Sequence, residues 1–553
     1  MPDRAGDKWI ALLILLAVGL TFSPLFTADF TNWDDPHTVA RNPPMRAPGL
    51  DAAATYWRLF PPPEAKSPDT INHQFALWVP LTYSVWLAIA AIAQVRGGDG
   101  TIELNPYVFH AANVAFHAAS TLLVWLILRR FIQSRWSAVA GALLWAVHPV
   151  QVEAVAWVSG LKDLLAGFLS LAAVWLYLLH ADESMPIARR RARWWLATLC
   201  FAAAMLCKPA AVTTPLIVAV IDRVLLSRRP RQVLLAIIPW LAMAIPIAII
   251  ARAAQPALGE QQFPTWLRPL IPADSIAFYL GKLVWPWPLC VDYGRSPAGI
   301  LRSGAIWWTW LFPAAALLAS VLAARSGRRA PLAALLIFAL APLPVLGAMQ
   351  FHFQQFSTTA DHYLYVAMLG PAILAAWASA AVSRRVASMA GIVVLAALAG
   401  MSFLRSRQWH DARTLFSHEI RSNPGSSVCL NNLAAANAEA GNPAAAVELF
   451  RRALQADPDN MLAMKNLRQC LVELGQYDEA LQIVRTELKR KYVPWLNPNH
   501  LGMTLLARGD YRSAVVHFTA LARISPDDTD AHSLLALAEA LAARHPATTR
   551  NAD

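Results

Sequence analysis

Along the first 400 residues, apolar runs of membrane-crossing length alternate with short polar breaks. A spanning helix needs about 20 apolar residues. Segments 9–26, 107–128, 137–156, 163–180, 194–207, 209–226, 232–251, 305–324, 330–349, 363–382 and 386–404 approach that length, which makes about eleven expected spans. Segment 77–95 is weaker, because Pro80, Thr82, Tyr83 and Ser84 interrupt it. From about residue 425 the pattern changes. Apolar positions now recur at helical spacing among polar ones, as in soluble amphipathic helices.

The tail also repeats. Gly441, Gly475 and Gly509 stand 34 residues apart, and so do Ala446, Ala480 and Ala514. Leu433 and Leu467 share that phase, and Pro458 and Pro526 are two periods apart. GQYDEA (475–480) and GDYRSA (509–514) show the unit plainly. A 34-residue helical period with small residues at the helix crossings is the tetratricopeptide (TPR) pattern. The expected fold is therefore all-α: a polytopic membrane helix bundle over 1–404, with a loop at 27–106, then a linker at 405–424. A TPR α-solenoid follows over 425–543, closed by a capping helix near 529–543, and a disordered end at 544–553. Each repeat buries its apolar face only by stacking on the next. Such an array serves either as a scaffold or as a groove for a protein partner.

Composition agrees with a bundle in lipid. Hydrophobic residues make up 57% of the chain and charged ones 15%, where soluble domains carry about 25% charged residues. The net charge is +12. Nucleic-acid binding is the first reading of such a balance, but the arginines sit in short loops between apolar segments, which points to membrane topology instead. The five cysteines lack C-x-x-C spacing and read as packing residues. The first segment has no small-x-small cleavage site and is read as a retained anchor.

The arginines also orient the bundle. Basic loops occur at Arg129, Arg130 and Arg135; at Arg189, Arg190, Arg191 and Arg193; at Arg228, Arg229 and Arg231; at Arg325, Arg328 and Arg329; and at Arg384 and Arg385. If 77–95 does not span, all five fall on the side of the N-terminus with its Arg4 and Lys8. Positively charged loops stay inside. Segment 77–95 is then expected to lie in the interface, with Trp78 and Trp86 at the headgroups. The N-terminus is inside and the C-terminus outside. The outer face receives 27–106, His148–Lys162, Lys208, 252–304, 350–362 and the tail. The Arg/Ala-rich composition suggests a bacterial inner membrane, with the TPR array periplasmic.

The chemistry-bearing residues gather on that face. Asp34 and Asp35 lie in NWDDPHTVARNP (32–43), just past the first span. Acids beside hydrocarbon are costly and usually serve a purpose, although either could simply cap a short helix. His148, Glu153, Lys162 and Asp163 flank another outer turn, which Pro149 breaks. His148 and Glu153 alone do not make a metal site, and no metal is assigned. Lys162 and Lys208 suit a phosphate, or else snorkel to headgroups. His110 and His117 are seven apart on one span, with Asn113 between them, and so share a face. Asp361, His362, Tyr363 and Tyr365 open a further segment.

These stretches resemble a known family. WDDPHTVARNP (33–43), WVPLTYSVW (78–86), FHAANVAFH (109–117), AVHPVQVEAVAWVSGLKDLLAG (146–167), CKPAAVTTPL (207–216) and DHYLYVAMLG (361–370) are similar to the transmembrane and TPR repeat-containing protein O-mannosyltransferases and their bacterial relatives, which are GT-C type glycosyltransferases. The resemblance implies a polyprenyl-phosphate sugar donor and a Ser/Thr hydroxyl of an exported polypeptide as acceptor, with inversion at the anomeric carbon. It implies Asp34 as the catalytic base, with Asp35 orienting it or binding the acceptor. Lys162, Lys208, His110, His148, Glu153, Asp163, His362 and Tyr363 become candidates for the donor's phosphate and sugar. No cofactor is assigned, and a protein partner is expected on the TPRs. The rival expectation is a membrane-anchored scaffold without enzymatic activity.

Overall fold

The computed structural model describes residues 4–59, 78–98, 100–254, 264–347, 352–381, 384–489, 499–526 and 528–545. Parts of the stretches read as 27–106, 252–304 and 350–362, and most of 544–553, lie outside the described residues. Among the described residues the only strands form a two-stranded hairpin, β1 (Gln94–Arg96) and β2 (Ile102–Leu104), with Val95 opposite Glu103. The chain divides into two compact units, Met1–Asp411 and Ala412–Asp553.

The first unit is a helix bundle. Its longer helices are α1 (Arg4–Thr21), α2 (Pro80–Ala93), α3 (Pro106–Leu128), α4 (Arg135–Val147), α5 (Leu161–His180), α6 (Ile187–Cys207), α7 (Pro230–Ala254), α8 (Leu270–Val284), α9 (Leu311–Arg325), α10 (Ala330–Leu340), α11 (Leu369–Ala381) and α12 (Arg384–Gln408). Local chemistry sets several of these ends. The Asn105 side chain accepts from Tyr107 N and starts α3 with Pro106 behind it. Ser134 accepts from Ser137 N and starts α4. α4 stops at Val147 because the residue before Pro149 is driven out of the helical region, and His148 is extended. The next helical stretch, Pro149–Ala156, leaves at 51°. Gly141 lets α4 approach α11 closely, since a Cβ there would lie 2.5 Å from Ala372 O.

All eleven expected spans contain helix, but not all are continuous. Among the described residues, five helical stretches are long and apolar enough to cross a membrane, six if the bent pair at 135–156 counts as one. The chain is thus a multi-pass membrane protein. Of the others, 194–207 lies within the continuous α6, and some are interrupted. Segment 209–226 is three short helical pieces, and 330–349 stops at Leu340 before a short turn at Leu343–Val345, with Pro342 and Pro344 nearby. The interfacial expectation for 77–95 needs correction at its aromatics. α2 is packed against α3, α6 and the short helix Leu50–Tyr56. Trp86 and Tyr83 are buried. Trp86 lies edge-on to Tyr83, 5.1 Å away, so it serves as a core residue and not as a headgroup anchor.

The second unit is a run of helix hairpins: α13 (Ala412–Ser422), α14 (Ser427–Glu439), α15 (Pro443–Ala456), α16 (Met461–Glu473), α17 (Tyr477–Lys489), α18 (His500–Arg508), α19 (Tyr511–Ile524) and α20 (Thr529–Arg544). The period-34 glycines end α14, α16 and α18 with φ of +77°, +70° and +84°. The residue after each bonds back across the turn: Asn442 N to Asn437 O, Gln476 N to Leu471 O, Asp510 N to Leu505 O. That left-handed turn favours glycine and satisfies carbonyls the helix leaves free. The repeated Ala446, Ala480 and Ala514 are fully buried with Phe450, Val484 and Phe518 in one core.

Candidate functional site

The diacid loop follows α1 and turns back at once. Pro36–Ala40 forms a wide helical turn, with Arg41 N bonded to Pro36 O at 2.8 Å. The backbone carbonyl of Asp34 accepts from His37 N, Thr38 N and Thr38 Oγ1 at 3.0–3.1 Å. Those bonds fix the main chain of Asp34 and do not engage its carboxylate. Its side chain is 38% exposed, with Lys162 Nζ 3.6 Å away.

Asp35 has the opposite environment. It is 1% exposed and accepts four hydrogen bonds. Ser159 N and Ser159 Oγ donate to Oδ1 at 3.0 and 2.7 Å. Thr31 N and Thr31 Oγ1 donate to Oδ2 at 3.0 and 2.9 Å. Burial raises its pKa, and the four donors oppose that rise. Thr38 Oγ1 lies 2.6 Å from Ser159 Oγ, a further tie between the two loops. Asp35 is thus a bracket between the diacid loop and the turn before α5.

That turn is shaped by Gly160, where any Cβ would collide with the carbonyl oxygen of Ala154. Directly after it, Lys162 and Asp163 occupy the first turn of α5. Lys162 Nζ stands 4.3 Å from the centre of the Trp157 ring, a cation–π distance. Asp163 pairs with Lys208 Nζ at 2.5 Å. Lys208 is placed by the end of α6 at Cys207 and by Pro209, which hold it extended. Burial pulls its pKa down and Asp163 holds it up. Lys208 also stands over the Tyr363 ring at 5.7 Å.

Glu153 completes the cluster from the bent stretch after Pro149. Its Oε2 accepts from Asp361 N at 2.9 Å and His362 N at 3.3 Å, and its Oε1 lies 2.8 Å from His362 Nδ1. A carboxylate acceptor there requires a proton on Nδ1 and leaves Nε2 of a neutral ring as an acceptor. Asp163, Lys208, Lys162 and Asp34 all lie within electrostatic reach of His362. Asp163, Lys208, His362 and Tyr363 line a small cavity of about 50 Å³, together with the hydroxyls of Ser170, Thr213 and Thr214 and apolar residues such as Ala166, Pro342 and Val366.

The expected site residues therefore divide. Asp34, Asp35, Glu153, Lys162, Asp163, Lys208, His362 and Tyr363 stand in one connected cluster. His110 and His148 are placed elsewhere. His110 Nε2 lies 3.2 Å from Asp29 O and anchors the start of the diacid loop. His148 Nδ1 accepts from Val150 N, and its Nε2 lies 3.2 Å from Leu283 O. His117 is a core residue between Tyr365 OH and Ala146 O. Among the described residues no group of three metal-ligating side chains converges.

Sequence reasoning missed Ser159, Thr31, Tyr293 and Arg405. Tyr293 OH donates to Asp361 at 2.8 Å. Arg405, in the stretch read as a linker, is buried within electrostatic reach of Glu153 and Asp361. Ser159 lies inside the quoted stretch 146–167 and was legible there as a loop hydroxyl, but nothing local pairs it with a residue 124 positions away.

Two models described as tetratricopeptide repeat match residues 437–489 and 398–461. The chain is 32% identical over 221 residues to the Drosophila melanogaster protein O-mannosyl-transferase Tmtc2, covering 36% of this chain and 23% of that one. It is 23% identical over 415 residues to the human protein O-mannosyl-transferase TMTC4, covering 63% and 54%. Against the mouse protein O-mannosyl-transferase TMTC4 the figures are 24% over 514 residues, 82% and 67%. The chain thus spans about a quarter of the length of the fly relative and about half of the human one. Among solved structures, ArnT from Cupriavidus metallidurans bound to undecaprenyl phosphate aligns with a TM-score of 0.38 at 15% identity, over 97% of this chain and 78% of that one. The Archaeoglobus fulgidus oligosaccharyltransferase aligns with a TM-score of 0.38 at 15% identity, over 73% and 56%.

Proposed function

We propose that this chain, a homologue of proteins named protein O-mannosyl-transferases, transfers a hexose, mannose by its relatives' name, from a polyprenyl phosphate to Ser/Thr hydroxyls of exported polypeptides. The observation that carries the reading is the split within the diacid. One acid is locked by four donors, while its neighbour is half exposed beside a lysine.

In this reading Asp34 accepts the proton of the incoming hydroxyl as its oxygen attacks the anomeric carbon. A positioned carboxylate contributes about 10²–10⁴-fold as a general base. The sugar–phosphate bond breaks on the opposite face, which inverts the anomeric centre. Charge develops on the departing polyprenyl phosphate, and Lys162 and Lys208 offset it in a site of low dielectric. Lys162 stands 3.6 Å from Asp34 and 4.3 Å from the centre of the Trp157 ring. Asp35 and Ser159 hold the loop so that Asp34 keeps its position. In this reading the basic loops face the cytoplasm, and the chemistry and the TPR tail lie on the periplasmic side of a bacterial inner membrane. The tail recruits the polypeptide.

The test uses the full chain in lipid nanodiscs with labelled polyprenyl-phosphate mannose and a Ser/Thr-rich peptide. Wild type transfers label, and Asp34→Asn, with an unchanged melting temperature, loses about 10²-fold or more. Absence of transfer by wild type across mannose, glucose and N-acetylglucosamine donors, with peptide binding retained, overturns the enzymatic reading in favour of a scaffold.

A further inference from the structure

The stretch from Pro264 to Phe312 has a surface that an aqueous loop does not explain. It is folded around a small core of its own, Leu267, Ile271, Ile300 and Ile306. Its main element is α8, and the polar residues of that helix point inward. Asp274 is fully buried, bonded to Arg295 Nη2 at 2.5 Å and Thr309 Oγ1 at 2.9 Å. Ser275 Oγ meets Thr358 Oγ1, and Tyr279 OH donates to Ala360 O. Lys282 Nζ folds back to Pro288 O at 2.5 Å, between the Phe278 and Tyr293 rings.

The outward side of α8 is apolar. Ala273, Ile276, Ala277, Leu280 and Val284 recur at helical spacing, and all are partly or largely exposed. Val284 is 84% exposed. A helix facing water carries its polar stripe outside and its apolar stripe inside; α8 reverses that order. Tryptophans flank it at both ends. Trp266 precedes it, with its ring 6.2 Å from Trp307, and Trp285 and Trp287 follow it. Trp308 and Trp310 extend the first group to the start of the candidate span Ala305–Arg325. All six of these rings are 41–71% exposed.

Tryptophan collects at the headgroup level of a bilayer. Exposed tryptophans at both ends of one helix place both ends at that level. A crossing would put the two ends at opposite faces, but α8 has 15 residues, short of the roughly 20 a span requires. We propose that α8 lies in the plane of the membrane interface, its apolar stripe against lipid acyl chains and its flanking tryptophans among the headgroups. The segment, part of the stretch 252–304 expected on the outer face, is then a brace lying on the lipid. The occupant of this surface is the phospholipid bilayer: the surface is continuous with a candidate span and lacks an outward charge along the stripe. The inference does not depend on the proposed transfer reaction.

Site-directed spin labelling tests it. Ala273→Cys, Gly281→Cys and Val284→Cys are made in the full chain carrying Cys200→Ala, in nanodiscs of phosphatidylcholine and phosphatidylglycerol. A Cβ at Gly281 meets nothing within 4 Å, so that variant keeps the test open if another fails to fold. Val393→Cys on α12 and Val516→Cys on α19 provide lipid-facing and tail references, both positions being about 70% exposed. The expected result is oxygen accessibility like that at Val393, nickel-chelate accessibility severalfold below that at Val516, and similar depth at all three α8 positions. High nickel-chelate access overturns the proposal in favour of an aqueous loop. Low access to both reagents overturns it in favour of a protein partner covering the face. A steady change of depth from 273 to 284 overturns the in-plane orientation.

Discussion

At the scale of single residues, the two adjacent acids show how far identity and role can separate. Both sit in the same five-residue window, and their sequence context marks them as a pair. The turn at Pro36–Ala40 sends one side chain out and the other in. Because Asp34 is exposed, Asp34→Asn is expected to leave the melting temperature unchanged while transfer falls. Asp35→Ala leaves four donors without an acceptor. Each unsatisfied buried group costs about 1–3 kcal/mol, so this variant is expected to lose melting temperature and activity together in a thermal shift assay in detergent. Lys208 and Asp163 make a second contrast. Lys208→Met strands a buried carboxylate at a cost of about 3–5 kcal/mol. Lys208→Met combined with Asp163→Leu is expected to melt closer to wild type, and equal melting points for the single and double variants would show that the pair does not couple. The lysines and acids themselves were legible because charge beside apolar runs is rare. Ser159 and Thr31 were not, since an ordinary loop hydroxyl acquires meaning only from the carboxylate it meets.

At the scale of elements, punctuation decided most boundaries. The period-34 glycines predicted repeat ends, and their left-handed backbone gives the reason. Gly475→Ala forces a Cβ into that region at about 1–2 kcal/mol, and is expected to lower the denaturation midpoint of the tail without changing its helical circular dichroism. Gly160→Ala acts through space instead of dihedral. It is expected to shift the turn before α5 and so loosen Ser159 from Asp35, read out as lost transfer with a smaller loss of helix content. Pro149 was visible as a breaker, but the 51° bend that brings Glu153 to His362 was not. Segment 77–95 shows the opposite failure. Its tryptophans fit a headgroup layer by composition, yet Trp86 is core because α3 and α6 pack over α2. Tryptophan suits both places, and only neighbours distinguish them.

At the scale of the whole molecule, two units with separate cores follow different rules. Among the described residues, the tail holds together by apolar stacking and by a buried ion cluster. Arg468 on α16, 1% exposed, bonds Glu487 on α17 at 3.2 Å and Asp530 on α20 at 2.6 Å. Arg468→Met leaves two acids facing each other, and residues 412–553 are expected to lose about 3–5 kcal/mol in a urea melt; a change below 1 kcal/mol would mean that stacking alone carries the array. The sequence by itself determined what depends on local repetition and on transfer between solvents: apolar runs that need lipid, short basic breaks between them, a period-34 helix array, and an acid pair beside the first apolar run. Tertiary structure decided what depends on contacts between distant positions: which acid is locked by four donors and which stands partly exposed beside Lys162, which histidine joins the lysines, and which tryptophans face outward. The physical reason is that burial and periodicity are properties of a segment, whereas a hydrogen bond from Ser159 to Asp35 is a property of the packed whole.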